Sequence, residues 1–366
     1  MSAPRKLPRW AELGLLPLVN LTAALLLSGL VVRLLGESPW AALKLLADGA
    51  FGSQEAVGYT LYYATSYIFT GLAVAVAYHA GLFNIGAEGQ AYVGGLCTGL
   101  VCLGLGTWPF WAVLPLAVAA GAAGGAAWAF IPGWLQARRG SHIVITTIMF
   151  NFLAAALMTY LLVNVLIRPG QQSPESREFG PGGVMPPLHE LLAKVGLTFA
   201  STPLNLSFVL ALLAAGFVAV FIWRTRWGYA LRVAGENAAA AGYAGISPAR
   251  VTIGAMLLSG ALAGGLGLNE LMGAQHRILI DFPGGAGFVG IAVALMGRNR
   301  PLGVIGAAIL FGALAQGGSQ LSFDMPKVNR DMVVVIQGLV ILFCGALENV
   351  FRGPLARLLG QREGGA

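Results

Sequence analysis

Charge is what this sequence has least of. Only 10% of its 366 residues are Asp, Glu, Lys or Arg, against roughly 25% in a soluble domain. Hydrophobic residues make up 57%. A soluble chain has no use for so much apolar surface, because a single core stops growing near about 250–300 residues. Cysteine is scarce too: Cys97, Cys102 and Cys344 each lie inside an apolar run. Their spacing suits neither a disulfide framework nor zinc, so they read as small buried hydrophobes. The four histidines, His79, His142, His189 and His276, are scattered with no i, i+4 pair for a metal.

Several chemistries are missing altogether. There is no phosphate-binding G-x-x-x-x-G-K-[ST] loop, no Ser/His or paired-acid constellation, and no series of buried carboxylates suited to a proton relay. Gly285, Gly287 and Gly290 do satisfy G-x-G-x-x-G, but residues 301–315 carry no charge. A dinucleotide site needs an acidic residue about 20 positions on, so this match is set aside. Neither a catalytic residue nor a metal ligand is expected.

What is abundant is length in apolar runs. Stretches of about 20 residues, enough to cross a bilayer as a helix, recur along the chain. They mark an all-α, polytopic transmembrane bundle of about ten segments, roughly 13–35, 59–80, 84–106, 109–135, 143–167, 204–223, 251–272, 284–297, 301–320 and 331–350. The first is read as an uncleaved span, its apolar part being too long for a signal-peptide core. The eighth is too short to span straight, as in a broken or re-entrant helix.

The charges sort by side. Arg5, Lys6, Arg9, Arg138, Arg139, Arg224, Arg226, Arg232, Arg250, Arg298, Arg300, Arg352, Arg357 and Arg362 fall on one side. Most acids, among them Glu37, Asp48, Glu55, Glu175 and Asp281, fall on the other. Cytoplasmic loops carry the basic excess, so both termini are expected in the cytoplasm. The net charge of +7 is then a topology signal, and nucleic acid is not an expected partner. The expected divisions are a cytoplasmic N-terminus at 1–12, a transmembrane domain at 13–350 and a cytoplasmic C-terminus at 351–366.

Two connections are long. The outer one, 168–203, is rich in Pro and Gly, with an amphipathic stretch at 187–199; it suits an external partner or a plain connection equally. The inner one, 224–250, reads "RTRWGYALRVAGENAAAAGYAGISPAR". Asn237 is placed to cap a short helix, and Ser247 with Pro248 to start another. An Ala-faced helix between arginines suits docking on a cytoplasmic protein. It lacks the Leu, Phe or Trp that would anchor it on lipid headgroups.

Polar residues interrupt the apolar runs twice. In "HAGLFNIGAEGQ" the glycines Gly81, Gly86 and Gly89 loosen the helix, Asn84 reads as an N-cap, and Glu88 falls in the first turn, followed by Gln90. This is either an ordinary helix start or a discontinuous helix whose polar groups line a substrate route. Asn269 and Glu270 end the seventh span, and "FPGGAG" at 282–287 echoes "FNIGAEG" at 83–89. The blocks holding them run in opposite directions, the pattern of two inverted repeats with broken helices. The pairs Gly95/Gly99, Gly121/Gly125 and Gly260/Gly264 mark close helix packing. Thr146 and Thr147 suit packing as well, whereas Asn151 suits packing or the route equally.

Four of these stretches, "HAGLFNIGAEGQAYVGG", "RGSHIVITTIMFNFLAAAL", "GYALRVAGENAAAAGYAGISPAR" and "GFVGIAVALMGRNRPLGVIGAAILFGAL", occur in an order and spacing that resembles the permease subunits of bacterial ABC importers. The similarity is to the simple-sugar and nucleoside branch of the ribose/branched-chain amino acid permeases, from about residue 58 to 350. The resemblance implies a multi-pass permease of the bacterial inner membrane that moves a small polar solute inward by alternating access, a nucleoside ahead of a simple sugar. It implies as partners cytoplasmic ATPases, which use the ATP while this chain binds no cofactor, a second permease (self or sibling), and a periplasmic binding protein or lipoprotein. By position it places Gly235, Glu236, Asn237, Ala240 and Gly245 in the ATPase-coupling segment. Asn84, Gly86, Glu88 and Gln90 fall in the broken-helix segment, and with Asn151, Asn269 and Glu270 they complete the expected substrate pathway. The alternative from the residues themselves is an ion-coupled secondary transporter using Glu88 and Glu270.

Overall fold

The structure, a computed structural model, describes residues 8, 11, 15–325, 327–328, 330–343 and 348–359. Most of the segment expected at 1–12, Cys344, and residues 360–366 of the expected C-terminal segment lie outside them. Among the described residues the only regular elements are helices, with isolated bridges in the outer connection.

The chain divides into two compact units, one formed by Val57–Gly312 and the other by Met1–Ala56 with Ala313–Ala366. In the second unit α1 (Leu16–Leu34) and α2 (Pro39–Phe51) meet at a bend of 119°. Ser38 caps α2 by accepting from the Ala41 N–H, with Pro39 in the first turn. Val32 and Ala42 bury against Leu321, Val328 and Ile336, which come from the end of α13 (Pro301–Asp324), the turn after it and α14 (Arg330–Ile341). α15 (Glu348–Leu359) follows.

The larger unit holds α3 (Gln54–His79), α4 (Ala87–Leu105), α5 (Phe110–Arg139), α6 (Ile143–Asn164), the short α7 (Leu188–Ala193), α8 (Ser207–Arg224), α9 (Arg226–Glu236), α10 (Ala238–Tyr243), α11 (Pro248–Gly264) and α12 (Ala286–Met296). Between α11 and α12 lies a π-helix, Leu268–Gln275. Its centre is the crossing of α5 with α11, where the expected glycine packing is found. A Cβ on Gly125 would stand 2.0 Å from the Gly260 carbonyl oxygen, and one on Gly264 2.2 Å from that of Gly121. Gly94 of α4 closes on Gly264 in the same way, at 2.4 Å from its Cα. Backbones this close need small residues, and in a bilayer that contact replaces the hydrophobic drive.

Among the described residues six helices are long and apolar enough to cross a membrane, or seven if the bent pair α1–α2 counts as one span. This is fewer than the roughly ten segments the apolar runs suggest. The stretch 84–106 yields α4, whose first turns carry Glu88 and Gln90. The stretch 284–297 is an apolar helix of 11 residues. The stretch expected at 331–350 is helical as α14 and again from Glu348. The amphipathic stretch expected at 187–199 is helical only over Leu188–Ala193.

Candidate functional site

The first polar break lies between α3 and α4. Gly81 takes φ +73 and Gly86, the N-cap of α4, has no side chain to cap with. Asn84 is not that cap. It stands two residues earlier, and its Oδ1 accepts from the Gly86 N–H at 2.8 Å. Its Nδ2 donates to Gln90 Oε1 and to Ser259 Oγ at 3.0 and 2.9 Å, while Gln90 Nε2 donates back to Asn84 Oδ1 at 3.2 Å. The missing cap comes from α6. Asn151 Oδ1 accepts from the Gly89 N–H, and its Nδ2 donates to the Ile85 carbonyl, both at 2.9 Å. Buried polar atoms need partners, and these amides supply one another's. Thr146 and Thr147 instead bond carbonyls of their own helix.

Glu88 reaches across to the second break. Its carboxylate accepts from the Gly285 N–H at 2.9 Å and the Gly287 N–H at 2.7 Å, at the start of α12. Helix N-termini leave such donors free, and a carboxylate there is favoured by the dipole. Gly284 and Gly285, at φ +55 and +82, make the turn that presents them. Thr70 of α3 donates to the Ala286 carbonyl at 3.0 Å. The echo between "FNIGAEG" and "FPGGAG" thus has a physical counterpart: the first turns of the two interrupted helices touch. Glu88→Ala is expected to destabilise the protein by about 2–3 kcal/mol, because buried N–H groups lose a charge-assisted acceptor. Glu88→Gln should recover roughly half, since its one oxygen can serve one N–H. Melting of the detergent-solubilised protein checks both, and an unchanged midpoint for Glu88→Ala would contradict the capping role.

The π-helix that follows α11 carries the other two expected residues. Asn269 is fully buried. Its Nδ2 donates to the Tyr62 carbonyl and Ser66 Oγ at 3.1 and 2.8 Å, and its Oδ1 accepts from Asn205 Nδ2 and Ser207 Oγ at 3.1 and 2.8 Å. Glu270 is half-buried and accepts from the Tyr62 hydroxyl at 2.5 Å and Ser66 Oγ at 2.8 Å. Beyond it Asp281 sits in the left-handed region (φ 58) and accepts from the Tyr92 hydroxyl at 2.7 Å. Tyr62, Ser66, Tyr92 and Asp281 were not expected as site residues. The tyrosine-rich "YTLYYATSY" of α3, unusual in an apolar helix, was the signal available for the first two.

The outer connection is stitched to this region. Arg277 pairs with Glu175 at 3.0 Å, and the backbones of Ser176, Phe179 and Met185 donate to the carbonyls of Ile278, His276 and Met272.

The inner connection folds as two helices. Thr225 caps α9 through the Gly228 N–H at 3.0 Å, and Asn237 caps α10 through the Ala240 N–H at 3.0 Å, as its sequence position predicts. Ser247 occupies an N-cap position without a capping bond from its hydroxyl, while Pro248 opens α11. Glu236, Asn237 and Ala240 are exposed, as is Gly245 at φ +75. Tyr243 is 97% exposed. Gly235 is different: a Cβ there would stand 2.2 Å from the His79 carbonyl oxygen and 2.8 Å from the Gly81 nitrogen. The inner connection therefore rests, backbone on backbone, against the first break. Beside this contact Tyr78, His79, Trp223, Arg232 and Glu236 line a cavity of about 700 Å³, with the Arg232 guanidinium 4.7 Å above the Trp223 ring.

Interrupted apolar helices with polar groups satisfied at the interruptions are the pattern of multi-pass membrane transport proteins. The family model described as "Branched-chain amino acid transport system / permease component" matches residues 56–345, and the chain belongs to that permease family. It is 36% identical to the guanosine ABC transporter permease protein NupP of Bacillus subtilis, over 90% of this chain and 92% of the relative. It is 34% identical to the glucose ABC transporter permease protein TsgB13 of Haloferax volcanii, over 93% and 88%. Identity to the nucleoside ABC transporter permease protein NupB of Lactococcus lactis subsp. cremoris is 32%, over 90% of each chain. No solved structure matches it.

Proposed function

We propose that this chain is the membrane-spanning subunit of an ATP-driven importer of the bacterial inner membrane that carries a nucleoside into the cytoplasm by alternating access. The observation that carries the mechanism is the contact of Gly235 with His79 and Gly81. It ties an exposed, neutral helix bounded by Asn237 and Gly245 to the first polar break. Cytoplasmic ATPases dock on α10, with Ala240 and Tyr243 in the contact, and their closure on ATP moves α9 and therefore the break. The similarity to guanosine and nucleoside permeases favours a nucleoside; a glucose permease relative keeps a simple sugar as the second reading.

In this reading both termini and the 224–250 connection are cytoplasmic, within a permease domain spanning 13–350. The 168–203 connection faces a periplasmic binding protein or lipoprotein. The α4 and α12 starts belong to two inverted halves, and the substrate pathway runs beside them. Asn84, Gly86, Gln90, Asn151 and Asn269 shape that pathway by holding the backbone at the breaks, and Glu88 and Glu270 set its charge. The ion-coupled alternative is not favoured, since the relatives most similar over this length are named as ABC transporter permeases.

Affinity purification of the tagged protein from its native membrane tests the assignment. Stoichiometric ATPase subunits and a second permease, sibling or self, are expected. A lone chain that transports on an ion gradient after reconstitution would overturn it.

A further inference from the structure

Three tyrosines of α3, Tyr59, Tyr63 and Tyr67, recur at i, i+4 and i+8 and therefore share one face of the helix. All three are half-buried, in a helix whose other residues are largely packed away. Tyr67 lies within electrostatic reach of Tyr63, Glu270 and Glu88. Next to the ladder Glu270 is held by Tyr62 and Ser66 and is itself half-buried. The face ends abruptly. From Ile68 through Ala77 every residue of α3 is buried, and a Cβ on Gly71 would stand 2.8 Å from the Val293 side chain. The other end of α3 meets the outer connection, where Gly58 packs on Thr202. The ladder thus leads from the outer connection to a floor made by α12.

We infer that Tyr59, Tyr63 and Tyr67, with Glu270 beside them, are the wall that contacts the transported solute. The nucleobase stacks on the tyrosine rings and the ribose hydroxyls donate to Glu270. This assignment rests on the nucleoside reading above. An ionised carboxylate has about four acceptor positions, and Tyr62 and Ser66 use two. Two acceptor positions remain, as many as the two hydroxyls of a vicinal diol require. Aromatic rings accept any planar base, which explains a series of tyrosines where leucine would serve a purely apolar contact. A bare sugar would use Glu270 and leave the ladder idle.

The test is uptake of labelled guanosine and labelled ribose by cells carrying variants in place of the native chain, with the intact complex purified from each. Tyr63→Leu and Tyr67→Leu are expected to lower guanosine uptake roughly tenfold, the equivalent of one lost stacking contact. Tyr63→Phe and Tyr67→Phe, which keep the ring, should retain most of it. Glu270→Gln should fall as far as the leucine variants. Leucine variants that transport like the wild type would overturn the wall, as would phenylalanine variants as poor as leucine. Leucine variants that purify without a second permease would make this face a subunit contact instead. If the wild type takes up ribose and no guanosine, the nucleoside reading has failed, and the stacking role falls with it. That outcome is read on the wild type alone, so the two failures stay separate.

Discussion

Gly235→Ala is expected to lower uptake more than tenfold while the ATPase subunits remain attached to the membrane complex. The new Cβ would stand 2.2 Å from the His79 carbonyl oxygen, a separation that no real Cβ contact tolerates. The opposing atoms are backbone, so no flexible side chain can yield. Gly81, at φ +73, would itself meet the Gly235 carbonyl if it gained a Cβ. Helix α9 must therefore lift from the break, at a cost of about 1–3 kcal/mol for overpacking. Exposed α10, capped by Asn237 further along, keeps its surface for a partner. Asn237→Ala is the informative contrast: it removes a cap worth roughly 1 kcal/mol and leaves the joint in place, so its uptake should suffer less. Parallel measurement of uptake, ATP hydrolysis and co-purification decides the matter. Wild-type uptake by Gly235→Ala would show that the force does not pass through this contact.

Gly125→Leu should yield no folded protein. Leucine is the better helix former by close to 1 kcal/mol, so on propensity alone the change would stabilise. The crossing reverses the sign, because its Cβ would lie 2.0 Å from the Gly260 carbonyl oxygen and the rest of the side chain has nowhere to go. Gly125→Ala should cost about 1–3 kcal/mol and leave a protein with a lowered melting midpoint. Gly216, whose Cβ would meet nothing, is the control: Gly216→Leu should be tolerated. Fluorescence-detected size exclusion of the three variants checks the order, and a monodisperse Gly125→Leu protein would refute the crossing.

Local features of this protein were legible in its sequence. The glycine spacing of α5 and α11, the cap at Asn237 and the two polar breaks all follow from patterns a few residues long. Helix α2 is hidden in the sequence because Lys44 and Asp48 break its apolar run. Helix α9 is hidden because it is amphipathic and forms no continuous apolar run. The larger misses concern pairing at a distance. Glu88 stands in the first turn of its own helix, as its sequence position suggests, yet its carboxylate serves a helix almost two hundred positions further on. Asn84 has the residue type of a cap, but Gln90 and Ser259 claim its amide, leaving α4 to Asn151. Neither periodicity nor propensity encodes which buried amide will meet which orphan N–H.

One unit of this protein is assembled from both ends of the chain: Val32 and Ala42 bury against Leu321, Val328 and Ile336. Its first half leaves the ribosome long before its second. At about 5–20 residues per second, the stretch between them takes on the order of ten to fifty seconds to synthesise. During that interval α1 and α2 lack the Leu321, Val328 and Ile336 side chains they later bury against, and the exposed leucines of α1, Leu18, Leu26 and Leu34, must be sheltered by lipid or by the insertion machinery. The biogenesis of this unit is thus a waiting problem, and a truncation at the C-terminal end would strand helices made at the very beginning.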